Sequence, residues 1–440
     1  MPSEPRVRRP KTVNKPSARS LAACLLAGVA LAGCVGGPPR PTTPTYTGNT
    51  RPDPSRPPRP GEPAPRDPVN MRYAESRNAY MPRHIPRNEA QDLKRIAVML
   101  PFSSTDPEVR KLTAALFNAA QMAMFEVGDP NVILVPRDAN GDANTVAAAA
   151  KEAIADGAVA VIGPLFAQHV APVANASAQV RAPVLAFSTD VSANGQGAYL
   201  VSLTPKTEVE RIVDWAAAQG VTRFAMFGPD TPYGRTVEQA LRAQVATRGG
   251  LVIATEYYAA GDTSPQVQAR RLASVVKAEN QASPGKVAVL IPERGIQLRT
   301  AASLLPYFDV NPRQVKFLGT GAWNDPDVWR EPSLFGGAFP APDPAALADF
   351  EKRYQTIFGE TPPRLASFGY DAGALAANLA KLDRLDAGML QREEGWRGVN
   401  GLFRFMPDGG IERGLAVIQL QDGGGAKIVS PAISVFTPGS

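Results

Sequence analysis

The feature that most constrains the fold is a strand–helix–strand pattern in residues 159–190. Val159–Ile162 and Val184–Phe187 are short apolar runs typical of buried strands, and the segment between them carries alanine, valine and glutamine at helical spacing. Two parallel strands joined by a helix form the βαβ unit of a parallel sheet. Because ligands of such sheets bind beyond the carboxyl ends of the strands, a site is predicted near Gly163–Gln168 and Ser188–Asp190.

The same alternation continues on both sides of this unit. Apolar runs at Arg95–Phe102 and Asn131–Pro136 are each followed by a helical segment, and after Thr204-Pro205 the pattern restarts with four more strands. Two long helical segments and a hairpin close the chain, which indicates a return to an earlier lobe. The predicted fold class is therefore α/β, with two doubly wound parallel-sheet lobes.

Charge and cysteine content exclude several classes of protein. The first 90 residues carry a net charge of +9, so the remaining 350 residues sum to −3 and the basic overall balance does not indicate nucleic-acid binding. Both cysteines, Cys24 and Cys34, lie near the amino terminus, and the only histidines are His84 and His169. A disulfide or a His/Cys metal cluster is thus excluded from the globular part, whereas an all-carboxylate metal site is not, and no cofactor is predicted.

The amino terminus has the layout of an export signal. Six Lys/Arg residues precede the apolar run Leu21–Leu31, which is too short to span a bilayer. The run ends in Leu31-Ala32-Gly33-Cys34, which resembles the bacterial lipobox, where cleavage before the cysteine leaves it lipid-modified. Residues 1–33 are therefore predicted to be a lipoprotein signal peptide. An aspartate directly after the cysteine would favour retention in the inner membrane. This position is Val35 instead, which favours the outer membrane.

Residues 34–91 are predicted to be the lipidated Cys34 and a disordered tether. Fourteen prolines fall between residues 35 and 90, with Gly, Thr, Ser and Arg between them, and nothing there can form a core. Such a tether would let a domain work at a distance from its membrane.

Several short motifs resemble one fold family. The motifs are Leu100-Pro101, Ile162-Gly163-Pro164, Phe187-Ser188-Thr189, and Gly401–Phe405 followed by Asp408–Gly410. Together they resemble the type I periplasmic-binding-protein fold, of which the branched-chain amino-acid receptors are members. More narrowly, VIGPLFAQHV, PVLAFSTD and TPYG resemble the lipoproteins named penicillin-binding protein activators. The resemblance covers roughly residues 92–440.

This resemblance implies two lobes joined by three crossings, with a cleft between the lobes. The crossings are expected near Thr204-Pro205, near Phe335–Pro342 and near Gly395–Asn400. The predicted boundaries are 92–204 and 335–396 for the first lobe, and 205–334 and 397–440 for the second lobe and tail.

The cleft candidates follow the predicted strands. They are Phe102, Ser103, Gly163, Pro164, Phe166, Ala167, Gln168, Phe187, Ser188, Thr189, Tyr233, Glu293 and Trp323. In receptors of this fold, hydroxyl residues after the Val-Ile-Gly strand commonly hold a ligand carboxylate, but Leu165–Gln168 has none, so Ser188 and Thr189 would have to serve. Aromatic cleft walls would favour an apolar or sugar-like ligand. Alternatively, these rings plug the lobe interface and the cleft is vestigial.

Catalysis has little support in the sequence. A Ser-His-Asp site would need His169, which is expected on a surface or helix face, and no G-x-S-x-G or P-loop motif is present. Asp325 and Asp327 form an acid pair near Trp323. Glycoside hydrolysis needs two carboxylates that face each other at a set separation, and nearness in sequence does not show this arrangement. The chain is predicted not to be an enzyme.

The favoured interpretation is a non-catalytic, lipid-anchored, extracytoplasmic protein that resembles the penicillin-binding protein activators. Its predicted partners are a peptidoglycan synthase, the membrane through the amino-terminal lipid, and a small-molecule cleft ligand. The alternative is a solute receptor, amino-acid type, for an ABC permease, and a lesser alternative is a cell-wall enzyme.

Overall fold

A computed structural model describes residues 93–436. The predicted signal peptide, Cys34 and all of the predicted tether lie outside these residues. Within the described part of the chain, no helix is both long and apolar enough to cross a membrane.

The first lobe is built on a five-stranded parallel sheet in the order β2-β1-β3-β4-β5. Its elements are β1 (Lys94–Leu100), α1 (Pro107–Val127), β2 (Val132–Asp138), α2 (Ala143–Ala155), β3 (Ala158–Ile162), α3 (Ala167–Ser177), β4 (Val184–Ala186) and β5 (Ala198–Leu200). The sequence analysis did not predict β5.

Both faces of this sheet are covered. Ile96, Val98 and Leu100 of β1 join one core cluster, while Ala97 and Met99 join the cluster on the opposite face. Successive side chains of a strand point to opposite faces, so a strand buried on both faces must be apolar at every position. This explains the continuous apolar run.

The second lobe repeats this arrangement with additional strands. Its sheet has the order β7-β6-β8-β9-β10-β14-β15, with β14 and β15 antiparallel to their neighbours. The elements are α4 (Pro205–Ala218), β6 (Arg223–Pro229), α5 (Pro232–Thr247), β7 (Leu251–Tyr258), α6 (Gln266–Ala282), β8 (Val287–Leu290), α7 (Gly295–Tyr307), β9 (Lys316–Leu318), β10 (Ala338–Ala341), β14 (Ala416–Leu420) and β15 (Ala426–Ser430). The predicted α/β fold class with two doubly wound parallel sheets is confirmed.

The chain returns to the first lobe between β10 and β14. The returning elements are α8 (Pro344–Phe358), α9 (Ala366–Lys381), α10 (Ala387–Leu390), β11 (Trp396–Gly398), β12 (Gly401–Phe405) and β13 (Ile411–Arg413). Strands β11–β13 form a small antiparallel sheet, here called the appended sheet. The Phe405 ring of β12 packs 5.1 Å from the Tyr199 ring of β5, so the appended sheet belongs to the core of the first lobe.

Two predicted lobe boundaries are corrected by this arrangement. Strand β10 keeps residues 338–341 in the second sheet, so the return to the first lobe follows Ala341 and does not begin at residue 335. The third crossing lies between Arg413 and Ala416, and not near Gly395–Asn400. Glycine-rich turns show where a chain reverses, but they do not show which sheet the following strand joins.

Candidate functional site

Each sheet has a point where the strand order reverses. If the strands of each lobe are numbered from one in chain order, both sheets begin with the order 2-1-3. The reversal then lies between strands 1 and 3, which are β1 and β3 in the first lobe and β6 and β8 in the second. The loops that follow these four strands diverge there and leave a crevice at the carboxyl edge.

The two carboxyl edges meet at the first crossing. The chain leaves β5 at its carboxyl end, and Thr204 then caps α4 by accepting a hydrogen bond from the Thr207 N–H. One turn into α4, the Glu208 Oε1 accepts a 2.9 Å hydrogen bond from the N–H of Gly321, which follows β9 at the carboxyl edge of the second sheet. The candidate site is therefore the space between the two edges beside this crossing.

The loop after β1 is tied to the end of β2. The Ser103 hydroxyl donates to the Asp138 carboxylate, whose second oxygen accepts the Ser103 N–H at 3.2 Å. The Asn140 amide donates to the Ser103 Oγ at 3.1 Å. Phe102 is half-buried and packs edge-on against Phe117, with ring centroids 5.6 Å apart. Ser103 is exposed, but its hydroxyl already holds this loop to the end of β2.

The loop after β3 needs a glycine at its first position. Gly163 has a φ of +99°, and a Cβ there would collide with the Met99 carbonyl of the neighbouring strand. Gly163 and Pro164 are buried and shape the loop, Ala167 is half-buried, and Phe166 and Gln168 reach the surface.

His169 was expected on a surface or helix face, and it lies in α3 but is buried there. Only 2% of it is exposed, its Nε2 lies 3.1 Å from the Gly141 carbonyl, and the Phe166 ring packs edge-on against it at 5.9 Å. Its Nδ1 has no hydrogen-bonding partner in the described structure. The ring thus joins the loops after β2 and β3.

The loop after β4 presents one exposed hydroxyl residue. Phe187 is buried in the core, and the buried Ser188 Oγ accepts the Asp190 N–H at 3.0 Å. The Ser202 hydroxyl donates to the Ser188 carbonyl, which joins this loop to the first crossing. Thr189 is exposed, so of the two residues expected to hold a carboxylate, only Thr189 reaches the surface.

The second lobe contributes a tyrosine and a carboxyl group. Tyr233 lies in the first turn of α5, the residue is 38% exposed, and its Oη lies 2.9 Å from the Thr320 Oγ1. Burial raises the pKa of the Tyr233 phenol, which stays protonated. Glu293 is half-buried, and burial raises its pKa as well, although the Arg294 N–H donates to it at 3.0 Å.

Trp323 does not line the site, which corrects its predicted role. Its side chain is fully buried, and its Nε1 donates a 3.0 Å hydrogen bond to the Ile291 carbonyl. The residue lies in a 3-10 turn, and its ring folds back beneath Gly319, where a Cβ would overlap the indole. The Asp325 carboxylate stabilises the turn that follows Trp323, because it accepts the Asp327 N–H at 2.9 Å.

The sequence analysis missed two charged residues that contact Gly321, Glu208 and Arg364. Glu208 accepts the Gly321 N–H, while Arg364 of the first lobe donates to the Asn324 carbonyl at 2.6 Å and to the Gly321 carbonyl at 3.4 Å. Arg364 therefore connects the two lobes directly. A glutamate in the first turn of a helix is common, so its burial could not be foreseen, but Gly319-Thr320-Gly321 after a strand was a detectable signal.

Burial raises the pKa of Glu208 to about 8, and the Gly321 N–H and Arg364 offset this only in part. The carboxyl group of Glu208 therefore keeps its proton in the native state above pH 4.5, where the unfolded chain releases it. The free energy of unfolding falls as the pH rises from about 4.5 to about 8. We expect a loss on the order of 2 kcal/mol between pH 6 and pH 8 from this group.

Glu208→Gln retains an acceptor for Gly321 and removes the titration, so its urea midpoint should depend less on pH than that of the wild type. Glu152→Gln, on the exposed face of α2, is the matched control and should keep the wild-type slope. Equal slopes in Glu208→Gln and the wild type would refute the assignment.

Comparison with known proteins identifies the fold family. The sequence profile of the family described as periplasmic binding protein matches residues 95–425, which is most of the chain. The chain belongs to the periplasmic binding protein family. No curated protein sequence matches it significantly.

Solved structures that resemble this periplasmic binding protein share its fold at low sequence identity. A putative branched-chain amino acid ABC transporter protein from Rhodospirillum rubrum has a TM-score of 0.66 and 18% identity, over 77% of this chain and 100% of that one. An ABC transporter substrate-binding protein from Desulfitobacterium hafniense, in complex with Leu, has a TM-score of 0.52 and 20% identity, over 76% and 99%. A solute-binding protein from Rhodopseudomonas palustris BisB5, in complex with 3,4-dihydroxybenzoic acid, has a TM-score of 0.55 and 18% identity, over 79% and 99%.

Proposed function

We propose that this protein binds a small molecule between its two lobes and does not transform it. The observation that carries the proposal is the pair of matching strand-order reversals, whose carboxyl edges meet at the first crossing. The family and the ligand complexes of similar structures support it, and the family favours an extracytoplasmic location.

Five of the predicted residues are the proposed ligand contacts. Phe166, Gln168, Thr189 and Tyr233 are exposed in the loops and first helical turns that follow the strands, and Glu293 is half-buried near Tyr233. Gly163, Pro164, Phe187 and Ser188 are proposed to hold the shape of these loops, as are Phe102, Ser103 and Ala167. Trp323 is not included because it is buried.

The proposed ligand has an apolar or ring-shaped body. Two exposed aromatic residues, Phe166 and Tyr233, flank the edges, whereas the Ser103 hydroxyl donates to Asp138 at the end of β2 and the buried Ser188 Oγ accepts the Asp190 N–H. The grip for a free carboxylate is therefore weaker than a pair of hydroxyl residues would give, and Thr189 is left to supply it. This disfavours a simple amino acid.

Catalysis is not part of the proposal. The imidazole of His169 is buried against the Gly141 carbonyl, and Asp325 is engaged in its own turn. Neither is free to act on a molecule in the cleft in this arrangement.

For the cellular role we propose a lipid-anchored regulator of cell-wall synthesis, similar to the penicillin-binding protein activators and tethered through Cys34. The motifs and the proline-rich segment of the sequence support this role. The second candidate is an ABC solute receptor, which is favoured by the descriptions of similar structures.

Two measurements test these proposals. Calorimetry against a panel of amino acids, aromatic acids, sugars and muropeptides should give saturable binding of at least one non-amino-acid solute. Crosslinked capture of the full-length protein from intact envelopes should recover a peptidoglycan synthase. Sub-micromolar binding of one amino acid, together with recovery of permease subunits, would establish the receptor function instead.

A further inference from the structure

The last described residues of the chain run from the second lobe to the first, in addition to the three crossings. Strand β15 pairs with β14 in the second sheet, with Ser430 opposite Val417. Residues 431–436, here called the strap, then leave the sheet.

The strap begins on the second lobe. Arg211 of α4 donates from Nη2 to the Ser430 hydroxyl at 2.6 Å and to the Pro431 carbonyl at 3.2 Å. The Nε of the same arginine donates to the Leu415 carbonyl of the third crossing at 2.7 Å. One guanidinium therefore holds both the third crossing and the start of the strap against the second lobe.

The strap ends on the first lobe. Arg397 of the appended sheet donates to the Ser434 carbonyl at 2.7 Å. Phe436 is only 5% exposed, and the Arg404 guanidinium lies over its ring at 4.6 Å. A Cβ on Gly395 would lie 2.9 Å from the Phe436 ring, which shows how closely the ring packs on the backbone there.

We propose that the strap is a fourth connection between the lobes, which restricts the angle between them while Phe436 is docked. Hinge motion in a two-lobed protein needs only the crossings to bend, but a segment fixed at both ends limits how far they can bend. Docking of one aromatic ring is a two-state event, so it can shift the population of lobe arrangements.

This restriction has a consequence for ligand affinity, which rests on the proposed function. A ligand that binds one lobe arrangement gains or loses apparent affinity according to the fraction of molecules in that arrangement. Release of Phe436, for instance by a protein that engages the strap, would therefore change affinity without touching the cleft.

The test measures the distance between the lobes without any ligand. The full chain carries its only cysteines at Cys24 and Cys34, so a Cys24→Ser/Cys34→Ser background leaves no native thiol to label. Spin labels at Ala148→Cys on α2 and Ala246→Cys on α5 then report the inter-lobe distance by double electron–electron resonance, because both alanines are exposed on different lobes.

Phe436→Ala should broaden the distance distribution, and a chain ending at Ser430 should broaden it at least as much. Val435→Ala is the matched control, since Val435 is 70% exposed in the same segment, and it should leave the distribution unchanged. A distribution for Phe436→Ala that equals the parent's, or equal broadening by Val435→Ala, would overturn the proposal. Because no ligand is present, failure of the proposed ligand binding does not affect this result.

Discussion

Arg413→Met is expected to destabilise the protein by about 3–5 kcal/mol, because it leaves the buried carboxylate of Asp371 without its cation. Both side chains are fully buried, and the Arg413 Nη1 lies 3.8 Å from the Asp371 Oδ2. Burial lowers the pKa of Arg413 to about 10 and raises the pKa of Asp371, so each charge depends on the other.

Arg413 also holds the first crossing to the third. Its Nε donates to the Ser202 carbonyl at 3.2 Å and its Nη2 to the Val201 carbonyl at 3.3 Å. Its guanidinium lies 5.0 Å from the Phe403 ring and 5.1 Å from the Phe368 ring. The substitution would thus loosen the hinge as well as the core.

The measurement is the free energy of unfolding in urea, followed by tryptophan fluorescence at pH 7. Arg330→Met is the matched control, since the Arg330–Asp327 ion pair is 74% and 75% exposed and should contribute less than about 1 kcal/mol. A loss of under about 1 kcal/mol in Arg413→Met would show that the pair is not structural.

Gly369→Val is expected to cost about 3 kcal/mol or more, because α9 approaches α1 too closely for any side chain at that position. A Cβ at Gly369 would collide with the Leu116 carbonyl, and one at Gly373 would lie 2.8 Å from the Ala120 Cα. Both obstacles are backbone, which cannot rotate away. The helices would have to separate and open the core of the first lobe.

Thermal unfolding of Gly369→Val and of Gly369→Ala tests this packing. Alanine normally stabilises a helix interior relative to glycine by about 1 kcal/mol, so a loss in Gly369→Ala would reverse the usual sign. Asn378→Ala introduces alanine on an exposed position of the same helix and should change stability by less than about 0.5 kcal/mol. A stabilised Gly369→Ala would mean that the helices are further apart than described.

The sequence was sufficient where structure is local. Long apolar strands such as β1 and capped helices such as α1 carry their own signals, and repeated βα units imply parallel sheets. The candidate site was placed by the same rule, since Gly163 follows β3 and Tyr233 lies in the helix that begins just after β6. Strand β10 was not predicted because it contains Pro340 and follows Gly336-Gly337, which indicate a loop, and β5 was not predicted either.

Tertiary features were beyond the sequence for a different reason. Trp323 follows a strand as a ligand-facing aromatic residue would, but its ring fills the space beneath Gly319 instead. Glu208 has the pattern of an ordinary helix start, and only the approach of Gly321 shows that it is buried. The destination of Phe436 depends on contacts with a distant hairpin, which no local pattern encodes.

Hydrogen–deuterium exchange with and without a bound solute, chosen by calorimetry, tests the central claim most directly. The account predicts slower exchange in four segments, at residues 163–168, 188–190, 229–235 and 291–296, which lie on both lobes. Protection restricted to one lobe or to the outer helices, or a failure of every solute to bind, would contradict a ligand site between the two carboxyl edges.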